Sequence, residues 1–288
     1  MTQADNDERR GRSTLRNLVV VVLDSLRYDA WTSVRPPVLG ELGDVERRWS
    51  YASWTAPSHY NLMMGLLPHT SPSEVYASEY YKRDFERYSD RLGIEGMEFR
   101  QMLPSIFLPT FLREHGYSTH AMVSMPVLNE HTVINRDFDS YELMPSHNDM
   151  AAMLPKLRFS EDRPSFYLLN VGETHYPYAL PSEDPSEWPR ISGVHGIFKR
   201  LGGSEGDPTE PREFFDQTAL GQLQDRQRKA LEYLDTVFAK LFDQLPSGTW
   251  VIVTSDHGEL FGEDRYFGHG PIVHEKVFEV PFVEGIVP

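Results

Sequence analysis

The sequence predicts an α/β fold, a mainly parallel central sheet with helices on both faces. Three observations predict it. Asn17–Asp24, NLVVVVLD, is a continuous β-branched and aliphatic run. A strand buried on both faces requires such a run, whereas a half-exposed strand alternates. Thr249–Glu259, TWVIVTSDHGE, repeats the pattern and ends in acidic and ligand-type residues. Between such runs lie segments of helical period, and strands alternating with helices argue for parallel βαβ units.

The elements follow in order. Residues 1–16 are polar and of mixed charge and read as a disordered lead, ahead of a single domain over 17–288. The first strand ends at Asp24. A helix is expected over residues 58–66, after Pro57. Leu108–Tyr117, LPTFLREHGY, reads as an amphipathic helix closed by Gly116, and Ser118–Met125 as a strand. Pro164–Tyr178, PSFYLLNVGETHYPY, is an apolar strand running into a polar loop. Residues 182–214 are rich in Pro, Gly and charge and read as a long surface excursion, a lid. Gln217–Leu245 is the longest helix candidate, broken by Pro246–Gly248. Val277–Val287 reads as a last strand.

Bulk properties bound the function. The chain has 288 residues and no cysteine, which excludes disulfides, thiolate metal sites and a Cys nucleophile. Its net charge of -15 argues against nucleic-acid partners and anionic membrane surfaces. An anionic substrate would need a local positive centre, and a metal ion is the simplest. The N-terminus carries no apolar signal segment, and no apolar run is long enough to span a bilayer. A cytoplasmic location is expected.

Two buried strands end in ligand-type residues, Asp24 and the pair Asp256–His257. Carboxyl ends of parallel strands share one edge, so two carboxylates and an imidazole converge on a cation. Oxygen and nitrogen donors of this kind suit zinc, manganese, magnesium or calcium. Taken alone, a strand-end Asp is as readily a cap or turn residue, and Thr55 and Ser58 are as readily helix N-caps.

Taken together, VVVVLDSLRYD, SWTAPSHYNLMMG, HYPY, YLD and VIVTSDHGELFGE, in this order, resemble the alkaline phosphatase superfamily and its sulfatase-like branch. The resemblance covers roughly residues 17–284. It implies one divalent metal (Mn, Zn, Mg or Ca) held by Asp24, Asp256 and His257, with Thr55 as nucleophile and further ligand. Thr55 stands where sulfatases carry the Cys or Ser that becomes formylglycine, and His59 stands where they carry Arg. Ser25 replaces a second Asp. His175, in H-x-P-Y, is expected to contact the ester oxygen or protonate the leaving group. His269, in FGHG, lies near a sulfate-contacting Lys of many sulfatases and is expected to replace that contact or act as a ligand. Arg27 either touches substrate, holds the nucleophile loop or forms a salt bridge, and His59 is expected at the substrate. HEKVFEV places His274 at the edge of an element, away from this role, and His69, His115, His120, His131, His147 and His195 lack motif support.

These residues predict a metal-dependent hydrolase or transferase acting on a phosphoester through Thr55. The alternatives are a sulfoesterase without formylglycine and a non-catalytic member that binds metal or a partner. The expected substrate is a small-molecule, glycan-derived or lipid-derived anionic ester. Compared with sulfatases, the C-terminal subdomain is expected to be reduced or absent, with a homo-oligomer partner as one way of supplying the missing wall.

Overall fold

The computed structural model describes residues 15–70, 86–94, 107–188, 217–270 and 272–288. Most of the expected lead, the excursion beyond Trp188 and His195 lie outside the described residues. Within the lead, Arg16 is tied down: its N–H donates to Leu92 O at 3.1 Å, and its carbonyl accepts from the Tyr117 hydroxyl at 2.9 Å.

Seven strands form the main sheet: β1 (Leu18–Leu23), β2 (Glu46–Trp49), β3 (Ser118–Val123), β4 (Ser140–Leu143), β5 (Ser165–Val171), β6 (Trp250–Thr254) and β9 (Glu279–Ile286). β7 (Leu260–Phe261) and β8 (Phe267–Gly268) make a separate small hairpin. The order is β2-β9-β6-β1-β5-β3-β4. β6, β1, β5, β3 and β4 run parallel, whereas β9 is antiparallel to both β6 and β2. The sheet is thus mainly parallel, with an antiparallel margin.

Helices cover both faces. On one face Val19, Val21 and Leu23 of β1 pack with Leu231, Leu234 and Phe238 of the long helix Gln217–Phe242, and with Trp31 of α1 (Tyr28–Val34). On the other, Leu18, Val20 and Val22 pack with Leu62 of α2 (Thr55–Met63) and with Phe111 of α3 (Leu108–Glu114). Successive residues of β1 therefore feed opposite cores, which is why the run is apolar throughout. In the order introduced, the long helix is α4.

α2 begins at Thr55, not after Pro57 as expected. Pro57 sits inside the first turn, where its missing N–H deprives no carbonyl of a helical partner.

Two loops meet under β5. A Cβ at Gly172 would lie 2.2 Å from His147 O, a backbone atom. Gly172→Ala is expected to lower stability by about 1–3 kcal/mol, the range for overpacking a closed site. Chemical denaturation checks this, and a wild-type midpoint would show that the two backbones are free to separate.

Candidate active site

Register does the first part of the positioning. Leu23 of β1 lies opposite Val171 of β5, and Val22 opposite Thr254 of β6. Asp24, the Gly172–His175 loop and Ser255–His257 therefore leave the sheet along one carboxyl edge. The Thr174 hydroxyl ties two of these segments by donating to Asp24 O at 2.8 Å.

Asp24 and Asp256 are buried together. Ser25 links them: its N–H donates to Asp256 Oδ1 at 3.1 Å and its hydroxyl to Asp24 Oδ1 at 3.3 Å. It does so at φ 62°, a left-handed conformation that costs a non-glycine residue energy. The His257 N–H also donates to Asp256 Oδ1, at 3.0 Å. Asn170 holds the far side. Its amide donates to Asp24 Oδ2 at 3.0 Å, while its Oδ1 accepts from the N–H groups of Ser124 and Met125, both at 3.1 Å.

Hydrogen bonds also fix the imidazole tautomers. His257 Nδ1 lies 2.9 Å from Gly258 O, and a carbonyl only accepts. The ring proton is therefore on Nδ1, and Nε2 presents a lone pair. It lies 3.3 Å from Asp256 Oδ2 and 3.9 Å from Asp24 Oδ1. His59 likewise donates from Nδ1 to Thr55 O at 2.8 Å. Asp256 Oδ2 is buried and has no hydrogen-bond partner. Two inward lone pairs at this separation need a proton or a cation between them. The ligand atoms of Asp24, Asp256 and His257 all lie within 4.8 Å of one another. Among the described residues no other group of three or more such side chains does so. This donor set fits a divalent cation.

Burial, then the charge of Asp24, pushes Asp256 well above the ordinary carboxylate range. Burial pulls Asp24 upward too, but His175, His257, His59 and the Asn170 amide outweigh it, and its carboxyl stays below the ordinary value. Burial, reinforced by His269, drives His257 well down, so it is neutral, as a metal-ligating imidazole must be.

Thr55 is the first residue of α2, and Trp54 fills the cap position without a side-chain bond. Thr55 is thus no helix cap. Its Oγ1 lies 3.4 Å from Asp24 Oδ1 and 3.4 Å from His257 Nε2. Ser58 turns instead to Ala52 O and the Ser50 hydroxyl, each at 3.3 Å. His175 and His269 are partly buried. Their ring centroids are 5.4 Å apart, and His269 lies 4.2 Å from the His257 ring. Burial would lower His269, but the hydrogen bond and charge of Glu259 outweigh it and raise its pKa.

Of the three readings open for Arg27 the structure shows the salt bridge, and the expectation for His59 needs correction. Arg27 does not reach for substrate: it bonds Asp29 Oδ1 at 2.8 Å, Glu263 Oε1 at 2.6 Å and Glu259 O at 3.2 Å, with its side chain 3% exposed. Its charge is spent on Asp29 and Glu263. His59 is 0% exposed and sits behind Thr55, 3.7 Å from Asp256 Oδ2, so it cannot contact substrate. Asn170, Thr174 and Glu259 join the site without having been singled out. An Asn inside an apolar strand run was the one available signal, because a buried amide must find partners.

Residues 16–283 match the sequence model of the Sulfatase family. No curated protein matches the chain in sequence. The C-terminal periplasmic domain of EptC from Escherichia coli, solved in complex with Zn, is similar at a TM-score of 0.56 and 14% identity, over 95% of this chain and 73% of that one. The corresponding domain of the phosphoethanolamine transferase EptC from Campylobacter jejuni gives 0.51 and 17%, over 95% and 80%. BT1596, a 2-O GAG sulfatase, gives 0.51 and 13%, over 94% and 64%. These likenesses show the fold.

Asn170→Ala strips Asp24 Oδ2 and the buried Met125 N–H of a partner, while the Ser124 N–H keeps its bond to the backbone carbonyl of residue 170. The expected cost is about 2–4 kcal/mol in stability and roughly 10- to 100-fold in divalent-metal affinity. Calorimetric titration and denaturation check both, and wild-type metal affinity would show that the amide does not orient Asp24. A second expectation concerns Glu173, 0% exposed, whose Oε1 accepts from the Met150 N–H at 2.7 Å while Oε2 has no partner. Burial pushes its carboxyl from 4.5 up to about 7. The folded state therefore holds a proton that the unfolded chain releases near pH 4.5, and the contribution of Glu173 to stability falls as pH rises through this window. Glu173→Gln is expected to be more stable than wild type at pH 8, by on the order of 3 kcal/mol, and close to it at pH 4. A pH-independent difference would refute this.

Proposed function

The chain belongs to the sulfatase family, and from that premise we propose that it is a metal-dependent hydrolase or transferase of phosphoesters with Thr55 as the nucleophile. One observation carries the reading: Thr55 Oγ1 stands 3.4 Å from an oxygen of Asp24 and from the lone-pair nitrogen of His257.

Thr55 also argues for phosphorus over sulfur. Formylglycine is an aldehyde, and oxidation of a threonine hydroxyl gives a ketone, because Cβ carries a methyl group. The hydroxyl itself must attack. Asp24, Asp256 and His257 would hold the cation, with Thr55 beside them. Bound there, the cation supplies Lewis acidity, which lowers the pKa of a neighbouring hydroxyl and neutralises charge on a phosphoryl oxygen.

Thr55 Oγ1 loses its proton and bonds to phosphorus as the bond to the substrate alcohol breaks. In this reading His175 or His269 delivers a proton to the leaving oxygen. On the same reading the first-turn amides of α2, Thr55 and Ala56, which lack helical acceptors, donate to the anion. Water or a second alcohol then takes the phosphoryl group from Thr55, which decides between hydrolase and transferase. The substrate class is a small-molecule, glycan-derived or lipid-derived phosphoester. A cytoplasmic site of action is part of the proposal, although the two EptC structures are of periplasmic domains. Cell fractionation tests it.

The activity is tested with protein loaded in turn with manganese, zinc, magnesium and calcium, on aryl phosphate monoesters and diesters and on an aryl sulfate. Thr55→Ala is expected to lose phosphoester turnover by on the order of 10³-fold or more, with fold and metal binding retained. Turnover of the aryl sulfate alone would overturn the choice of phosphorus. Metal binding with no turnover on any ester would favour a non-catalytic role.

A further inference from the structure

Beside the metal set lies a carboxylate that the reaction above does not use. Glu259 is 1% exposed, three residues after Asp256. Its Oε1 lies 3.2 Å from His269 Nδ1, and its Oε2 accepts from the buried Tyr178 hydroxyl. Its backbone is held as well, since Arg27 Nη1 donates to Glu259 O at 3.2 Å. All the restraint on this side chain converges on one imidazole nitrogen. A carboxylate facing Nδ1 keeps the proton there and leaves the Nε2 lone pair for chemistry. The His269 ring is 4.2 Å, centroid to centroid, from His257, whose Nε2 is 3.4 Å from Thr55 Oγ1. Among the described residues His175 has no such carboxylate: its Nδ1 donates to the carbonyl of the adjacent Tyr176, at 2.8 Å.

We infer that Glu259, braced by Tyr178 and Arg27, is a positioning residue that holds His269 as the base for the second half of the reaction, the release of the phosphoryl group from Thr55. This rests on the covalent route proposed above. Water gives a proton to His269 Nε2 while its oxygen bonds to phosphorus. The bond between phosphorus and Thr55 Oγ1 breaks, and its electron pair stays on Oγ1. The proton on Nε2 then passes to Oγ1 and restores the hydroxyl. His175 is left to serve the first half, at the leaving alcohol.

The test separates the two halves. Metal-loaded wild type, Glu259→Gln, Tyr178→Phe and Thr55→Ala are mixed rapidly with 4-nitrophenyl phosphate or bis(4-nitrophenyl) phosphate, whichever the wild type turns over faster. Nitrophenol release is followed in time, and the quenched protein is weighed intact. Nitrophenolate leaves without a proton, so the first half is insensitive to a lost acid. Glu259→Gln is expected to release about one equivalent of nitrophenol in a fast burst and then turn over roughly 100-fold more slowly than wild type. The phosphorylated protein should accumulate, with the added mass on Thr55. Tyr178→Phe keeps the carboxylate and should show the same pattern with about a tenfold loss. Burst and steady rates falling together, with no phosphorylated protein, would overturn the assignment, as would wild-type kinetics in both variants. If Thr55→Ala turns over like wild type, the covalent route itself fails and the inference falls with it.

Discussion

The structure is organised around two carboxylates that repel each other. Asp24 and Asp256 end neighbouring parallel strands and are sealed from water, and the charge of each makes ionisation of the other harder. No fold would gather them for stability alone. What holds them is a set of short-range donors: the Ser25 and His257 N–H groups, the Ser25 hydroxyl and the Asn170 amide. Ser25 keeps a left-handed backbone to make its contribution. Strain at one residue, like charges at two and an orphaned oxygen at Asp256 coincide at one point of the sheet edge. That coincidence marks a candidate site for a cation.

The other charges follow from this one. A guanidinium in place of His59 would bring a permanent positive charge behind Thr55, and the neutral imidazole brings none; burial pushes its pKa down, and its Nδ1 proton is committed to Thr55 O. Arg27 is near, but its charge is compensated by Asp29 and Glu263. In a chain of net charge -15, an anionic ester meets an unfavourable background field. In the proposed reaction the attraction is local, from the cation that Asp24, Asp256 and His257 would hold, the first turn of α2 and the imidazoles of His175 and His269.

Much of this was legible in the sequence because burial writes itself as composition. β1 and β6 are uniformly apolar since they face two cores, and their ends announce Asp24, Asp256 and His257. The start of α2 was misplaced by two turn signals, Pro57 and Ser58, which the tertiary setting overrides. β2, with the sequence Glu-Arg-Arg-Trp, carries no strand signal of its own. It exists through pairing with β9, and Arg48 lies 3.4 Å over the centroid of the Phe282 ring. Arg27 was left open, and His59 was misplaced, for a different reason. A motif states which residue types meet, and it is silent on which of them points inward. Only the ion pairs with Asp29 and Glu263, and the tautomer fixed by Thr55 O, decide that.

In the proposed reaction, a threonine nucleophile also constrains what must surround it. The covalent product is a phosphate ester of a secondary alcohol, with no adjacent hydroxyl able to expel the group from the threonine side. Release therefore depends on attack at phosphorus from outside, by water or an alcohol that has to lose a proton. A proton acceptor with a fixed tautomer near Oγ1 is then a requirement of the chemistry. His257 cannot fill the role, because its lone pair points into the metal set. His59 cannot, because it is sealed behind the helix start. His269 remains: partly exposed, beside His257, and faced by a buried carboxylate that has one other side-chain partner, Tyr178. Under that proposal, the use of threonine and the presence of Glu259 are two consequences of one chemical choice.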